Sequence, residues 1–157
     1  HNAEVNALIA DPSLHAAVLY PGRQSLDLSR CTAKEATDFT PSGKKLVIFV
    51  IDGTWDLARG MINRSTNLQA LPQLSFIPNT RSAYLIRQQP QAHCLSTLEA
   101  VHWMIDRFAD LGVYPAPPHN GHQSLIDVFQ SMVRQQLEYG QRSLIRTEGL
   151  RVRQNPI

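Results

Sequence analysis

At 157 residues, with 43% hydrophobic and 18% charged content, the chain has the length and apolar fraction of one globular domain with its own core, which excludes a disordered tail. A formal charge of +2 excludes a strongly polycationic or polyanionic protein, so any contact with nucleic acid must come from local clusters. Cys31 and Cys94, far apart in sequence, make neither a disulfide framework nor a metal motif, and no apolar run is long enough for a membrane span; a reducing, cytoplasmic setting is the expectation.

The chain opens on His1-Asn2-Ala3 without an initiator Met, which leads us to expect that an N-terminal portion is absent. Residues 4–10 read as the end of a helix, stopped by Asp11-Pro12. Ala16 to Tyr20 reads as a short buried strand, and Pro21-Gly22 as a sharp turn. Residues 23–44 are polar and poorly periodic, a long connection with a strand fragment and one helical turn. The run Leu46-Val47-Ile48-Phe49-Val50-Ile51 makes residues 45–51 a buried parallel strand. A helix follows from about Thr54 to Met61, with Leu57, Met61 and Ile62 expected against the sheet.

Leu74 to Ile77 reads as a third strand, and Ser82 to Ile86 as a strand or an extended, ligand-facing loop. Ser96 and Glu99 have capping-box spacing, and Leu98, Val101, Ile105 and Phe108 form a core-facing stripe on the helix that follows. Gly112 is placed to end it. The last helix, at about 124–140, carries Leu125, Val128, Phe129, Met132, Val133 and Leu137, a face read as core. From Arg142 onward a basic tail (142–157) holds Arg142, Arg146, Arg151 and Arg153. The pattern is one α/β domain with a mostly parallel sheet flanked by helices. It points to a monomer, because one sheet can consume both long apolar helix faces.

Open α/β sheets bind ligands beyond the carboxyl ends of their strands, so polar residues there are the candidates for chemistry. Asp52 directly follows the strongest strand. Gly53 lets backbone approach a ligand, Thr54 offers a hydroxyl and Trp55 a flat ring. The plainer reading makes Asp52 an N-cap for the next helix, at even odds. Tyr20-Pro21-Gly22 and Leu95-Ser96-Thr97-Leu98 occupy equivalent strand-end and helix-start positions. Trp55 and Tyr20 suit a stacked nucleobase, with core packing an equal contender for each. Lys45, Arg59, Arg81, Tyr84 and Arg87 interleave base and aromatic in a way that suits a phosphate backbone, although solvated surface is the commoner fate of such arginines. His119 and His122 lack a clear third ligand, so no metal site is expected. There is no dinucleotide glycine motif, Walker loop or Gly-x-Ser-x-Gly elbow.

Taken together, Tyr20-Pro21-Gly22, Asp52-Gly53-Thr54-Trp55, Tyr84-Leu85-Ile86-Arg87-Gln88-Gln89-Pro90 and Leu95-Ser96-Thr97-Leu98-Glu99-Ala100 resemble, in order and spacing, the blocks of the DTW-domain family. The resemblance spans roughly residues 16–140. It implies a tRNA-uridine aminocarboxypropyltransferase, which moves the 3-amino-3-carboxypropyl group of S-adenosylmethionine to N3 of a tRNA uridine and leaves methylthioadenosine. It also implies a SPOUT-like sheet with a C-terminal trefoil knot, which no physical reading of the sequence would propose. Family members carry a cysteine-rich, zinc-like segment and a His-Pro turn ahead of this region. Neither is present here, in keeping with the missing N-terminal portion.

Carried onto these residues, the resemblance makes Asp52 the base that accepts the N3 proton. Trp55 and residues 95–98 then line the adenosine site, with Gly53 and Thr54 beside them and Tyr20, Pro21 and Gly22 closing one side. Arg81 and Arg87 neutralise phosphate or the cofactor carboxylate, and Lys45, Arg59 and Tyr84 meet tRNA. Glu99 is assigned a structural role by its capping-box spacing. Two alternatives stay open: an RNA methyltransferase on the same scaffold, and a noncatalytic RNA-binding module.

Overall fold

The computed structural model describes residues 2–86 and 94–154, with side chains as far as 140. Six α-helices and four strands alternate along the chain. Helix α1 (Ala3–Ala10) is capped by the Asn2 side chain, and β1 (Leu14–Leu19), β2 (Leu26–Asp27) and α2 (Ala33–Asp38) follow. Next come β3 (Lys45–Val50), α3 (Trp55–Arg64), the short α4 (Thr66–Gln69) and β4 (Gln73–Ser75). Helices α5 (Thr97–Asp110) and α6 (Gln123–Gln154) complete the chain, with a 3₁₀ turn at Pro118–Asn120 between them.

The sheet is parallel throughout, in the order β2-β4-β1-β3. Its interior strand β1 is built from small and branched residues, Leu-His-Ala-Ala-Val-Leu, and Ala16, Ala17 and Val18 are buried. That composition suits a strand paired on both sides and covered on its faces. Ala17, Leu28, Cys31, Ala36, Leu74, Met104 and Phe108 form the core, and Phe76 stacks on Trp103 at 4.1 Å beside it. Arg107 fastens α5 to the β2–α2 connection, donating from Nε to the Leu28 carbonyl at 2.7 Å.

The expected elements at 4–10, 16–20, 45–51 and 96–110 all form, and the long connection holds the anticipated strand fragment and helical turn. Several details differ. On α3 Ile62 is buried and Met61 half-buried as expected, but Leu57 is 59% exposed and Ala58 is buried in its place. The third strand ends at Ser75, and Ile77 turns outward to pair its backbone with Ser29. Residues 82–86 form no strand; they make a bent loop. Along α5, Phe108 and Met104 are buried whereas Leu98, Val101 and Ile105 are half-buried. Gly112 stands at φ +67 just past the helix, the left-handed stop that glycine favours.

The face of α6 is the largest departure. Phe129 and Val133 are buried, but Leu125, Val128, Met132 and Leu137 are exposed, so one sheet does not consume this face and the argument for a monomer loses its premise. The basic segment from Arg142, expected as a tail, continues the helical backbone as far as Gln154. Among the described residues no helix is long and apolar enough to cross a membrane.

Candidate functional site

Neighbouring parallel strands place their downstream loops on one edge. Leu19 lies opposite Val50 in the β1–β3 register, so Tyr20-Pro21-Gly22 and Ile51-Asp52-Gly53-Thr54 leave the sheet side by side. Tyr20 is still tied to the sheet, its N–H donating to the Leu74 carbonyl at 2.9 Å. Gly22 is shaped into its turn by Ser25, whose hydroxyl donates to the Gly22 carbonyl at 2.8 Å.

Asp52 does not cap the helix that follows it. Thr54 is the N-cap of α3, its hydroxyl accepting from the Leu57 N–H, so Asp52 stands outside the helix with its carboxylate unspent on capping. Gly53, at φ +152, makes the bend between them, in a backbone region that favours glycine. Asp52 is exposed and accepts a hydrogen bond from the Thr97 hydroxyl at 2.7 Å. Thr97 is the first residue of α5, whose N-cap is Ser96. Two segments that are separate in sequence, 52–55 and 95–98, therefore meet at one hydrogen bond. The amino ends of α3 and α5 both open beside it, where free N–H donors and the helix dipoles favour negative charge.

Glu99 closes the capping box at the start of α5 and does more besides. Its buried carboxylate accepts from the Ser96 N–H and hydroxyl and also from the Ser82 hydroxyl and the Ala83 N–H. Burial raises its pKa, but these donors outweigh burial and hold it below the usual value of 4.5. The loop at 82–84 is thereby pinned to the amino end of α5. Tyr84 then lies against Phe129 of α6, ring centroids 5.6 Å apart, so its ring is partly spent on packing.

The remaining expected residues scatter. Trp55, 42% exposed at the start of α3, presents its ring beside Asp52 in sequence and remains available for stacking. Leu95, Ser96, Thr97 and Leu98 are half-buried around the α5 start. Arg59 is exposed on α3 and pairs with Asp56 at 2.6 Å; Arg81 is exposed beside the pinned loop. Lys45 begins β3, and seven residues of largely extended chain set it on the order of 20 Å from Asp52 at the opposite edge of the sheet, so the two do not share one site. Arg87 lies outside the described residues. An open cleft lined by Arg23, Gln24, Gln69, Leu71 and Gln73 includes none of residues 52–55 or 95–98.

Sequence reasoning missed Ser82 as a partner of Glu99, because a contact across 17 positions leaves no local signal. It also found no partner for His122. The residues beside His122 are His102 and Asp106 of α5, not His119. The spacing of His102 and Asp106, one helical turn apart, was the available signal.

Comparison with known proteins bears on the whole arrangement. The DTW domain model matches residues 1–137, most of the chain and all of the site just described. The chain belongs to the DTW-domain family. Over 99 residues this DTW domain is 35% identical to the tRNA-uridine aminocarboxypropyltransferase 2 of Drosophila melanogaster, covering 63% of the chain and 36% of that protein. Over 82 residues it is 33% identical to the proteins of the same name from Macaca fascicularis and Mus musculus, covering 52% of the chain and 26% of each. The chain thus spans little more than a third of the length of these relatives at most. No solved structure matches it.

Proposed function

We propose that this DTW domain carries the transfer site of a tRNA-uridine aminocarboxypropyltransferase, acting on N3 of a tRNA uridine in the cytoplasm. The observation that carries the reading is the Thr97–Asp52 hydrogen bond, which joins the family's signature acid to the amino end of α5 at the strand-end edge. A SPOUT-like arrangement with a C-terminal knot belongs to the same reading, resting on the resemblance of the four sequence blocks.

S-adenosylmethionine, when bound, supplies an electrophilic carbon on a sulfonium, and the pocket decides which of its three carbons faces the nucleophile. The chemistry of the residues present fits such a ligand. Exposed Trp55 offers a face for adenine, and the N–H groups opening α3 and α5 offer donors for an amino-acid carboxylate. Gly53 permits close backbone approach. Uridine N3 is a poor nucleophile while it keeps its proton. The exposed Asp52 carboxylate has one oxygen held by Thr97, which fixes its direction and leaves the other to accept the N3 proton. General-base help of this kind is worth about 10²–10⁴-fold. Arg81, beside the pinned 82–84 loop, supplies positive charge for tRNA phosphate.

The test is a split between binding and turnover. Asp52→Ala is expected to leave S-adenosylmethionine affinity within about threefold while cutting turnover by about 10²-fold or more. Equal loss of both would remove Asp52 from the base role.

A further inference from the structure

A second cluster of ionisable groups lies further along α5, on the face turned away from Thr97. His102 and Asp106 sit one turn apart on that helix, and His122, immediately before α6, reaches across to them. His122 Nε2 is 2.6 Å from one Asp106 oxygen, and His102 Nδ1 is 3.3 Å from the other. The three ligand atoms all lie within 4.8 Å of one another. His122 is 5% exposed and His102 15%, while Asp106 is 49% exposed and leaves one side open to water.

Hydrogen bonding holds His102 in its orientation. The Gln123 amide nitrogen donates to Asp127, which turns Gln123 Oε1 toward His102 Nε2 at 3.2 Å. An amide oxygen only accepts, so His102 donates from Nε2, and its Nδ1 faces a carboxylate oxygen of Asp106. A carbonyl oxygen thus holds the far nitrogen of His102, the usual support of a metal ligand, whereas the buried Nδ1 of His122 meets no partner among the described residues. We propose that His102 Nδ1, Asp106 and His122 Nε2 bind a divalent transition-metal ion of the zinc type, with a fourth position open to solvent. Ligand bonds of about 2.0–2.2 Å place tetrahedral ligand atoms roughly 3.4 Å apart, within small side-chain adjustments of the spacing observed. Two imidazoles and one carboxylate suit zinc over magnesium or calcium, which prefer all-oxygen sites. The ion clasps the start of α6 to α5 and shares no ligand with the Asp52–Thr97 pair, so its role is structural.

The experiment uses the purified chain stripped with a chelator and titrated calorimetrically with zinc chloride. A parallel titration with cobalt chloride reads the visible absorption of a nitrogen- and oxygen-bound site. The wild type is expected to bind one equivalent, with the melting temperature raised by roughly 5 °C at a hundredfold excess over Kd. His102→Ala and Asp106→Asn, both at positions less buried than His122, should weaken binding at least tenfold. Gln123→Ala should weaken it about tenfold through the lost support, and His119→Ala, on the exposed neighbouring turn, should not change it. Circular dichroism of each variant shows whether it has kept its fold. Absence of saturable one-equivalent binding, or unchanged affinity in folded His102→Ala and Asp106→Asn, would overturn the proposal and leave a hydrogen-bonded His–Asp–His cluster.

Discussion

Replacing Glu99 with Gln tests how the loop beside the site is held. The carboxylate receives the Ala83 N–H at 2.6 Å on one oxygen, and the Ser96 N–H, Ser96 hydroxyl and Ser82 hydroxyl at 2.7–2.8 Å on the other. A Gln amide keeps one oxygen. In its better orientation that oxygen serves the three Ser96 and Ser82 donors, and its NH₂ then opposes the Ala83 N–H, which cannot rotate away. One buried donor left unpaired costs about 1–3 kcal/mol, and losing the charge on the other three bonds adds roughly 1 kcal/mol more after allowing for non-additivity. The expected loss is therefore about 2–4 kcal/mol, or roughly 5–15 °C in Tm for a chain of this size. Urea denaturation at neutral pH measures it, and amide exchange at Ala83 reports the loop directly. A loss below about 0.5 kcal/mol with Ala83 still protected would refute the bonding scheme. The pH dependence supplies a second check. The Glu99 carboxyl is held below 4.5, so its contribution is full above that value and is lost as pH falls through the lower folded value; wild type and Glu99→Gln should converge in acid.

Thr97→Val removes the one hydroxyl that orients Asp52 and should lower turnover about tenfold while changing stability by less than about 1 kcal/mol, measured by steady-state kinetics and denaturation together. Trp55→Ala should weaken S-adenosylmethionine binding about tenfold by titration calorimetry with little change in Tm, since the ring is already 42% exposed; unchanged affinity would take Trp55 out of the pocket. Gly53→Ala forces a side chain onto φ +152 with its Cβ 3.4 Å from Leu57 Cβ, and should cost about 1–3 kcal/mol in chemical denaturation. Burial, aided by Lys44, holds His15 below its usual 6.5, so its neutral form stabilises the fold above that value and the stability is lost as pH falls below it. A series of melting curves from pH 8 to 5 should show the decline, and His15→Leu should flatten it.

Local pattern made much of the fold legible. The continuous apolar run at 46–51, the small-residue strand before Tyr20 and the Ser96–Glu99 capping box each determine their element within a few residues. Helix faces were harder to read. The apolar positions of α3 and α6 do not say which of them the rest of the chain will cover, and Leu57, Val128 and Met132 end up exposed. The site shows the same division. Asp52 and the 95–98 turn stand out because strand ends and helix starts are local features, but their contact through Thr97 joins residues 45 positions apart. Lys45 lies at the other edge of the sheet from Asp52, at the start of the strand whose end leads into that acid. His122 was missed as a partner of α5 because its neighbours come from an element 16 and 20 residues earlier.

The central claim is tested most directly by reacting the purified domain with unmodified tRNA and S-adenosylmethionine and reading digested nucleosides and spent cofactor by mass spectrometry. The account predicts aminocarboxypropyl-uridine and methylthioadenosine in equal amounts, both formed about 10²-fold or more slowly by Asp52→Ala. Methylated uridine with S-adenosylhomocysteine, or no product even from a full-length protein containing this domain, would contradict it.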